Sequence, residues 1–237
     1  MCTNYEPFIE LTFKERFGAE LLKVAFKPEA YPGYEAPVVR NIVRKNEASS
    51  SGRECIAARF GLVPTWANAE DVEKPRLKFA THNARVETVG QLPSFKHAWR
   101  HAQFCLIPTK QFYEPCWETG KAVRWKIWLA NDEPFALAGL WERWHRDDKV
   151  VESFTMLTVN ADDHPIMKHM HRPGDEKRMP VILHADDHAR WLNANPEEAL
   201  RMCQTFDAQL MSSAPAPLLK KIKINDEASE SKKNLYF

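Results

Sequence analysis

Between Gln103 and Val159 the chain carries its densest strand signals: Gln103–Ile107, Gln111–Glu114, Val123–Leu129, Phe135–Trp141 and Ser153–Val159, spaced like the strands of a meander. No regular alternation with helices runs through them. That disfavours a doubly wound parallel sheet and predicts a mixed, strand-dominated α+β domain. Within Val123–Leu129 the two-residue period places Val123, Trp125, Ile127 and Leu129 on one face and Arg124, Lys126 and Trp128 on the other, predicting one buried face and one wet one. Upstream, residues 28–52 are rich in Pro, Gly, Ser and charge and read as surface loop with at most one short strand. Cys55–Val63 reads as a strand ended by a turn at Pro64-Thr-Trp66, 79–84 as a short β piece, and Ser94–His101 as a short helix with Ser94 at its N-cap. Downstream, 163–170 reads as a helical turn, 179–183 as a strand, and 186–192 and 196–204 as closing helices, with Pro196 in a first turn.

Of the 237 residues, 44% are apolar and 27% charged, which excludes a largely disordered chain. The expected organisation is one domain over 1–225 and a polar tail over 226–237, whose last residues, Asn234-Leu-Tyr-Phe237, look like a purification-tag remnant. A formal charge of +1 carries no general attraction for nucleic acid, so any phosphate contact must come from local clusters such as 96–101, 121–126 and 168–178. No segment reads as a secretory signal or a membrane span, and the five cysteines contain no C-x-x-C pair. A cytoplasmic protein without disulfides, metal or cofactor is expected.

Cys2 stands out by position. Trimming of an initiator Met ahead of a small residue leaves it with a free α-amine beside its thiol, titrating near about 8 and about 8.5. Such a 1,2-aminothiol captures an aldehyde as an imine and then closes a thiazolidine ring, the second step being intramolecular. Taken alone, a cysteine at position 2 is more simply chance.

What tips that balance is an ordered series of segments: Met1-Cys2, Arg59-Phe-Gly-Leu-Val-Pro-Thr-Trp66, Asn83-Ala-Arg-Val-Glu-Thr88, Cys105-Leu-Ile-Pro-Thr-Lys-Gln-Phe-Tyr-Glu-Pro115, Ala138-Gly-Leu-Trp-Glu142, Ser153-Phe-Thr-Met-Leu-Thr158 and Arg178-Met-Pro-Val-Ile-Leu183. Together they resemble the SOS response-associated peptidase (SRAP) family of abasic-site processing proteins over most of the chain. The resemblance implies a strand-rich mixed sheet folded into a pseudo-barrel with peripheral helices. It also implies a monomer that crosslinks covalently to abasic sites in single-stranded DNA through Cys2, after self-removal of Met1, and is nucleoid-associated when bound. The positions matching family site residues are Cys2 as nucleophile, Asn83 as a positioning amide, Glu114 as proton shuttle and His171 as the acid that opens the abasic sugar, with His164 and His169 as alternatives. Trp66, Arg85, Arg178, Arg40 and Pro37 match positions along the DNA path, the last two in a loop near the lesion. Two departures stand out: Thr3-Asn4 replaces the family's Gly-Arg after the cysteine, and a longer stretch, Arg172-Pro-Gly-Asp-Glu-Lys, separates His171 from Arg178.

Without the resemblance, Asn83 reads as a turn cap, Glu114 as a partner of Arg124 or Lys126, and His171 as a surface histidine. Three competing functions stay open. A metal hydrolase is suggested by the histidines at 164, 169, 171, 184 and 188, though His184-Ala-Asp-Asp-His188 lacks a zincin's glutamate. A thiol peptidase acting on other proteins would use a Cys/His pair. A non-covalent single-strand binder would rest on Trp66, Trp125 and Trp128 interleaved with basic residues.

Overall fold

In the computed structural model, which describes residues 2–42, 52–74 and 80–218, the meander between 103 and 159 forms four long strands rather than five. Eleven strands among the described residues join one sheet: β1 (Tyr5–Pro7), β2 (Glu35–Asn41), β3 (Arg53–Phe60), β4 (Asn83–Arg85), β5 (Phe104–Cys116), β6 (Val123–Leu129), β7 (Phe135–Arg146), β8 (Lys149–Asn160), β9 (Arg178–Pro180), β10 (Ile182–Leu183) and β11 (Met211–Pro215). The two segments read separately at 103–107 and 111–114 are one strand, β5. Pro108 does not interrupt it: the strand stays paired to β7 on both sides of it, through Ile107↔Leu137 and Thr109↔Phe135, and the Pro108 carbonyl accepts from Phe8 N at 3.0 Å.

The principal path runs β10-β7-β8-β3-β2-β5-β6-β11, and a further β5–β7 pairing closes β7, β8, β3, β2 and β5 into a ring of hydrogen-bonded neighbours. This is the strand-rich mixed sheet expected of the sequence. Most pairings are antiparallel, while β3 and β4 run parallel to β8. At Gly139 the ring is tightest: an added Cβ would lie 2.8 Å from Ile107 Cδ1 and 2.9 Å from both Cys105 Sγ and Thr155 O, so only glycine fits where β5, β7 and β8 meet.

Among the described residues, five short α-helices lie outside the sheet: α1 (Phe13–Phe17), α2 (Ala69–Glu73), α3 (Lys96–Arg100), α4 (His188–Asn193) and α5 (Pro196–Met202). The last begins as sequence chemistry dictates, with Asn195 accepting from Glu198 N at 2.9 Å and Pro196 in the first turn. Helix α3 starts later than expected. Its N-cap is Phe95, and no Ser94 side-chain bond caps it. Trp191 of α4 is fully buried, donates Nε1–H to Cys105 O at 3.0 Å and packs on Phe104 with ring centroids 4.7 Å apart. Burying side chains of this size stabilises the fold by about 2–3 kcal/mol each.

Three local expectations change. Residues 35–41 form the one strand allowed for within 28–52, but it is buried and paired along its length to β3 rather than lying at the surface, because β2 lies inside the ring. On β6 only Ile127 is buried, since that strand sits near the sheet's edge beneath β11. The 179–183 strand breaks at Val181, which donates to Leu157 O and accepts from Ala138 N, handing the chain from β8 to β7. The tail expected at 226–237 lies outside the described residues. Among those described, no helix is long and apolar enough to cross a membrane.

Candidate active site

Four residues far apart in sequence converge where β1, β4, β5 and the segment before β9 meet. Strand β1 pairs with β5 as Tyr5↔Phe112, and Tyr113 N donates to Asn4 O at 3.0 Å, so the chain's first residues run along the C-terminal half of β5. This buries Cys2, with 1% of its surface exposed. Strand β4 places Asn83 through its parallel pairing with β8, and Asn83 Nδ2 donates to Cys2 O at 2.6 Å. Residues 169–171 cross the end of β5: Trp117 N donates to His169 O at 3.0 Å and His171 N to Pro115 O at 2.7 Å. His171 therefore faces Glu114, its Nδ1 3.6 Å from Glu114 Oε2, and both side chains are buried.

The electrostatics of this cluster differ from ordinary surface pairing. Burial pushes the Cys2 thiol well above its usual range, and the Glu114 carboxylate beside it pushes the same way. The resting sulfur is a thiol, donating weakly to Asn4 O at 3.5 Å. Burial raises Glu114 to about 7, against an ordinary value of 4.5. Its Oε1 has no partner of good hydrogen-bond geometry, though the Cys2 thiol is close enough to couple to the carboxylate. A carboxyl group half-ionised near neutral pH can both take and return a proton. Burial lowers His171 to about 4, so its imidazole is neutral at pH 7. Its Nε2 lies 3.3 Å from Arg178 O, and a carbonyl oxygen only accepts, so the ring proton sits on Nε2 and the Nδ1 lone pair faces Glu114. His171 also holds a left-handed backbone, φ 62°, which destabilises a non-glycine residue by about 1–2 kcal/mol.

Of the three histidines considered for this role, only His171 lies against Glu114. His164 is buried as a structural acceptor and donor, Nδ1 taking Met167 N at 3.1 Å and Nε2 donating to Phe206 O at 2.9 Å. His169 pairs with Glu118 at 3.0 Å. His188 is buried against Phe17, and His184 packs on Phe206. No group of three or more histidine, cysteine or acidic side chains among the described residues could hold a metal ion.

The residues matched to a DNA path are placed less simply. Trp66 is half-exposed, its Nε1 donating to Pro93 O at 3.1 Å. Arg85 reaches the surface but pairs with Glu176 at 2.5 Å. Arg178 is 2% exposed and held by Glu87, Glu176 and Thr158 O. Arg40 is equally buried, bonded to Glu54 and Glu152 and stacked 4.0 Å over the Trp141 ring. Pro37 is buried within β2 rather than in a loop. As they stand, Arg40 and Arg178 have their charge matched by carboxylates and little surface to offer a phosphate.

Sequence reading missed the frame around Cys2. Asn4 is buried, donating to Glu29 at 3.0 Å and accepting from Arg124 Nη2 at 2.7 Å. Arg124 also bonds Glu29 at 2.8 Å and stacks 3.4 Å over Tyr113. A guanidinium thus does stand beside residue 4, supplied from β6, and Asn4 is the small amide that receives it. Only the alternation of β6, which turns Arg124 away from Ile127, hinted at this.

Comparisons with known proteins find chains similar in sequence and in overall fold. The family model described as SOS response associated peptidase (SRAP) matches residues 1–218. The abasic site processing protein YoqW of Bacillus subtilis (strain 168) is 29% identical over 223 residues, covering 90% of this chain and 91% of that protein. The abasic site processing protein HMCES of Xenopus tropicalis is 26% identical over 185 residues, covering 68% of this chain and 52% of its own length. A solved structure of a Bordetella bronchiseptica protein is 32% identical and superposes with a TM-score of 0.83, covering 92% of this chain and 100% of that one.

Proposed function

The chain belongs to the SOS response associated peptidase (SRAP) family, and from that premise we propose that it processes abasic sites in single-stranded DNA by bonding to them through Cys2. The observation that carries this reading is the burial of Cys2 against a carboxyl group that titrates near neutral pH, with Asn83 fixing the Cys2 carbonyl at 2.6 Å.

The reaction follows from these groups. An abasic deoxyribose rests mainly as a cyclic hemiacetal. Proton transfer to its ring oxygen and loss of the anomeric hydroxyl proton release the aldehyde without net change in composition. His171 is the acid for that step. Its low value in the free protein rises when the phosphates of a bound strand approach, because negative charge favours imidazolium. With Met1 gone, the α-amine of Cys2 gives its surplus proton to Glu114, attacks the aldehyde carbon and expels one water to form an imine. The Cys2 sulfur then adds to the imine carbon while its proton passes, through Glu114, to the imine nitrogen, closing a thiazolidine. Asn83 holds the Cys2 backbone in place and reacts with nothing. The same site removes Met1, the step that exposes the amine.

A denaturing gel tests this. Native protein and Cys2→Ala are incubated with single-stranded DNA carrying one uracil-derived abasic site. A denaturant-resistant shifted band is expected only with native protein and abasic DNA. A complex that dissolves in high salt in both proteins would instead favour a non-covalent binding module.

A further inference from the structure

The left-handed turn at His171 throws the following residue outward, and that residue is an arginine. Arg172 is exposed, and its guanidinium lies over the Trp117 ring, 5.4 Å from the centroid. Trp117 is itself fixed one residue beyond the end of β5 by its N–H bond to His169 O. The loop that carries Arg172 is closed on itself: Lys177 Nζ donates to Arg172 O at 2.7 Å and to His171 O at 3.4 Å, and Asp175 N donates to Arg172 O at 3.1 Å.

Other arginines of the proposed DNA path and the Cys2 frame are paired with carboxylates: Arg85 with Glu176, Arg178 with Glu87 and Glu176, and Arg124 with Glu29. Arg172 makes no ion pair among the described residues, Asp175 of its own loop included. The aromatic face beneath it orients the guanidinium and leaves its charge unneutralised. Lys177, bound to carbonyl oxygens only, adds positive charge on the same side of His171. A planar, uncompensated guanidinium one residue from the proposed sugar-opening histidine is suited to grip a phosphate in two-pronged fashion.

We propose that Arg172, seated on Trp117, holds the DNA backbone phosphate next to the abasic residue; this rests on the reading of the Cys2 site as an abasic-DNA site. Binding of undamaged single-stranded DNA, followed by fluorescence anisotropy over a salt series, separates the two ideas because it involves no covalent step. Arg172→Gln is expected to weaken binding several-fold at low salt and to flatten the plot of log affinity against log salt by about 0.7, the signature of one lost single-strand phosphate contact. Arg201→Gln, which removes the same charge from α5, is expected to change neither. With abasic DNA, Arg172→Gln should reach the native crosslinking rate at saturation but need several-fold more DNA to half-saturate. Unchanged affinity and slope in Arg172→Gln, or an equal loss in Arg201→Gln, would overturn the proposal. An absence of adduct from native protein would remove the abasic neighbour from it, and with that the reading of the site, even if Arg172→Gln still loosened binding.

Discussion

Two buried charged centres stand in the same sheet and are built on opposite principles. Around Arg40 every charge is answered: Glu54 and Glu152 accept from the guanidinium at 2.8–3.3 Å, and Trp141 covers its face. Around Glu114 the matching is incomplete. One carboxylate oxygen has no partner of good geometry, the nearest imidazole nitrogen is 3.6 Å away, and Asn83 Oδ1 is also buried without a partner. A satisfied buried network rigidifies a fold, whereas an unsatisfied one raises the energy of the charged state and leaves proton positions negotiable. The first centre ties β2 to β3 and β8. The second is where the proposed chemistry needs a carboxyl group with two protonation states near neutrality.

The largest effect that would break this contrast is expected from Glu114→Gln, which keeps shape and removes ionisation. Crosslinking rate at pH 7.5, read from denaturing gels over time, should fall about 10²–10⁴-fold, the usual worth of a general acid–base group. A next test exchanges the roles: Arg40→Met should cost about 3 kcal/mol of stability in denaturant unfolding, because two carboxylates lose their cation, while crosslinking per folded molecule stays at the native rate.

Stability against pH sharpens the comparison further. Glu114 has a folded value of about 7, above its ordinary 4.5, so between those values the folded chain binds the extra proton and its stability falls as pH rises. His171, lowered to about 4, acts in the opposite sense, removing stability as pH falls from 6.5 toward 4. The difference between Glu114→Gln and native protein isolates the first term. The variant should gain on native protein from pH 4.5 to 7 and hold a constant lead above that, of up to about 3 kcal/mol. Chemical unfolding at pH 5, 6, 7 and 8 checks it, and a lead that shrinks with rising pH would contradict the sign. The smallest expected change is His171→Asn: asparagine tolerates the left-handed backbone, so stability should move by less than about 1 kcal/mol while crosslinking slows.

Much of the second centre was legible in sequence, and little of the first. Cys2, Asn83 and Glu114 lie in the short segments whose fixed order carries the resemblance, whereas His171 lies outside them and had His164 and His169 as alternatives; the sheet brings the first three together through β1 on β5 and β4 on β8. Arg40, Arg85 and Arg178 were matched to the DNA path by the resemblance alone, and the sequence hides the carboxylates that pair with them in the fold. Glu152 lies 112 residues from Arg40, and Glu87 lies 91 from Arg178. The same blindness concealed Arg124 beside Asn4 and Arg172 on Trp117, both of which depend on the third dimension. Local periodicity overestimated β6 for a related reason, since alternation tells which residues share a face but not whether anything covers it.

The central claim is that Cys2 forms a covalent bond to the abasic sugar, and intact-mass spectrometry of the protein after incubation with a short abasic single strand tests it most directly. The mass should equal that of the chain lacking Met1 plus the DNA less one water, and digestion should leave the sugar remnant on the N-terminal peptide beginning at Cys2. Unchanged protein and DNA masses, or a remnant on a lysine, would contradict it.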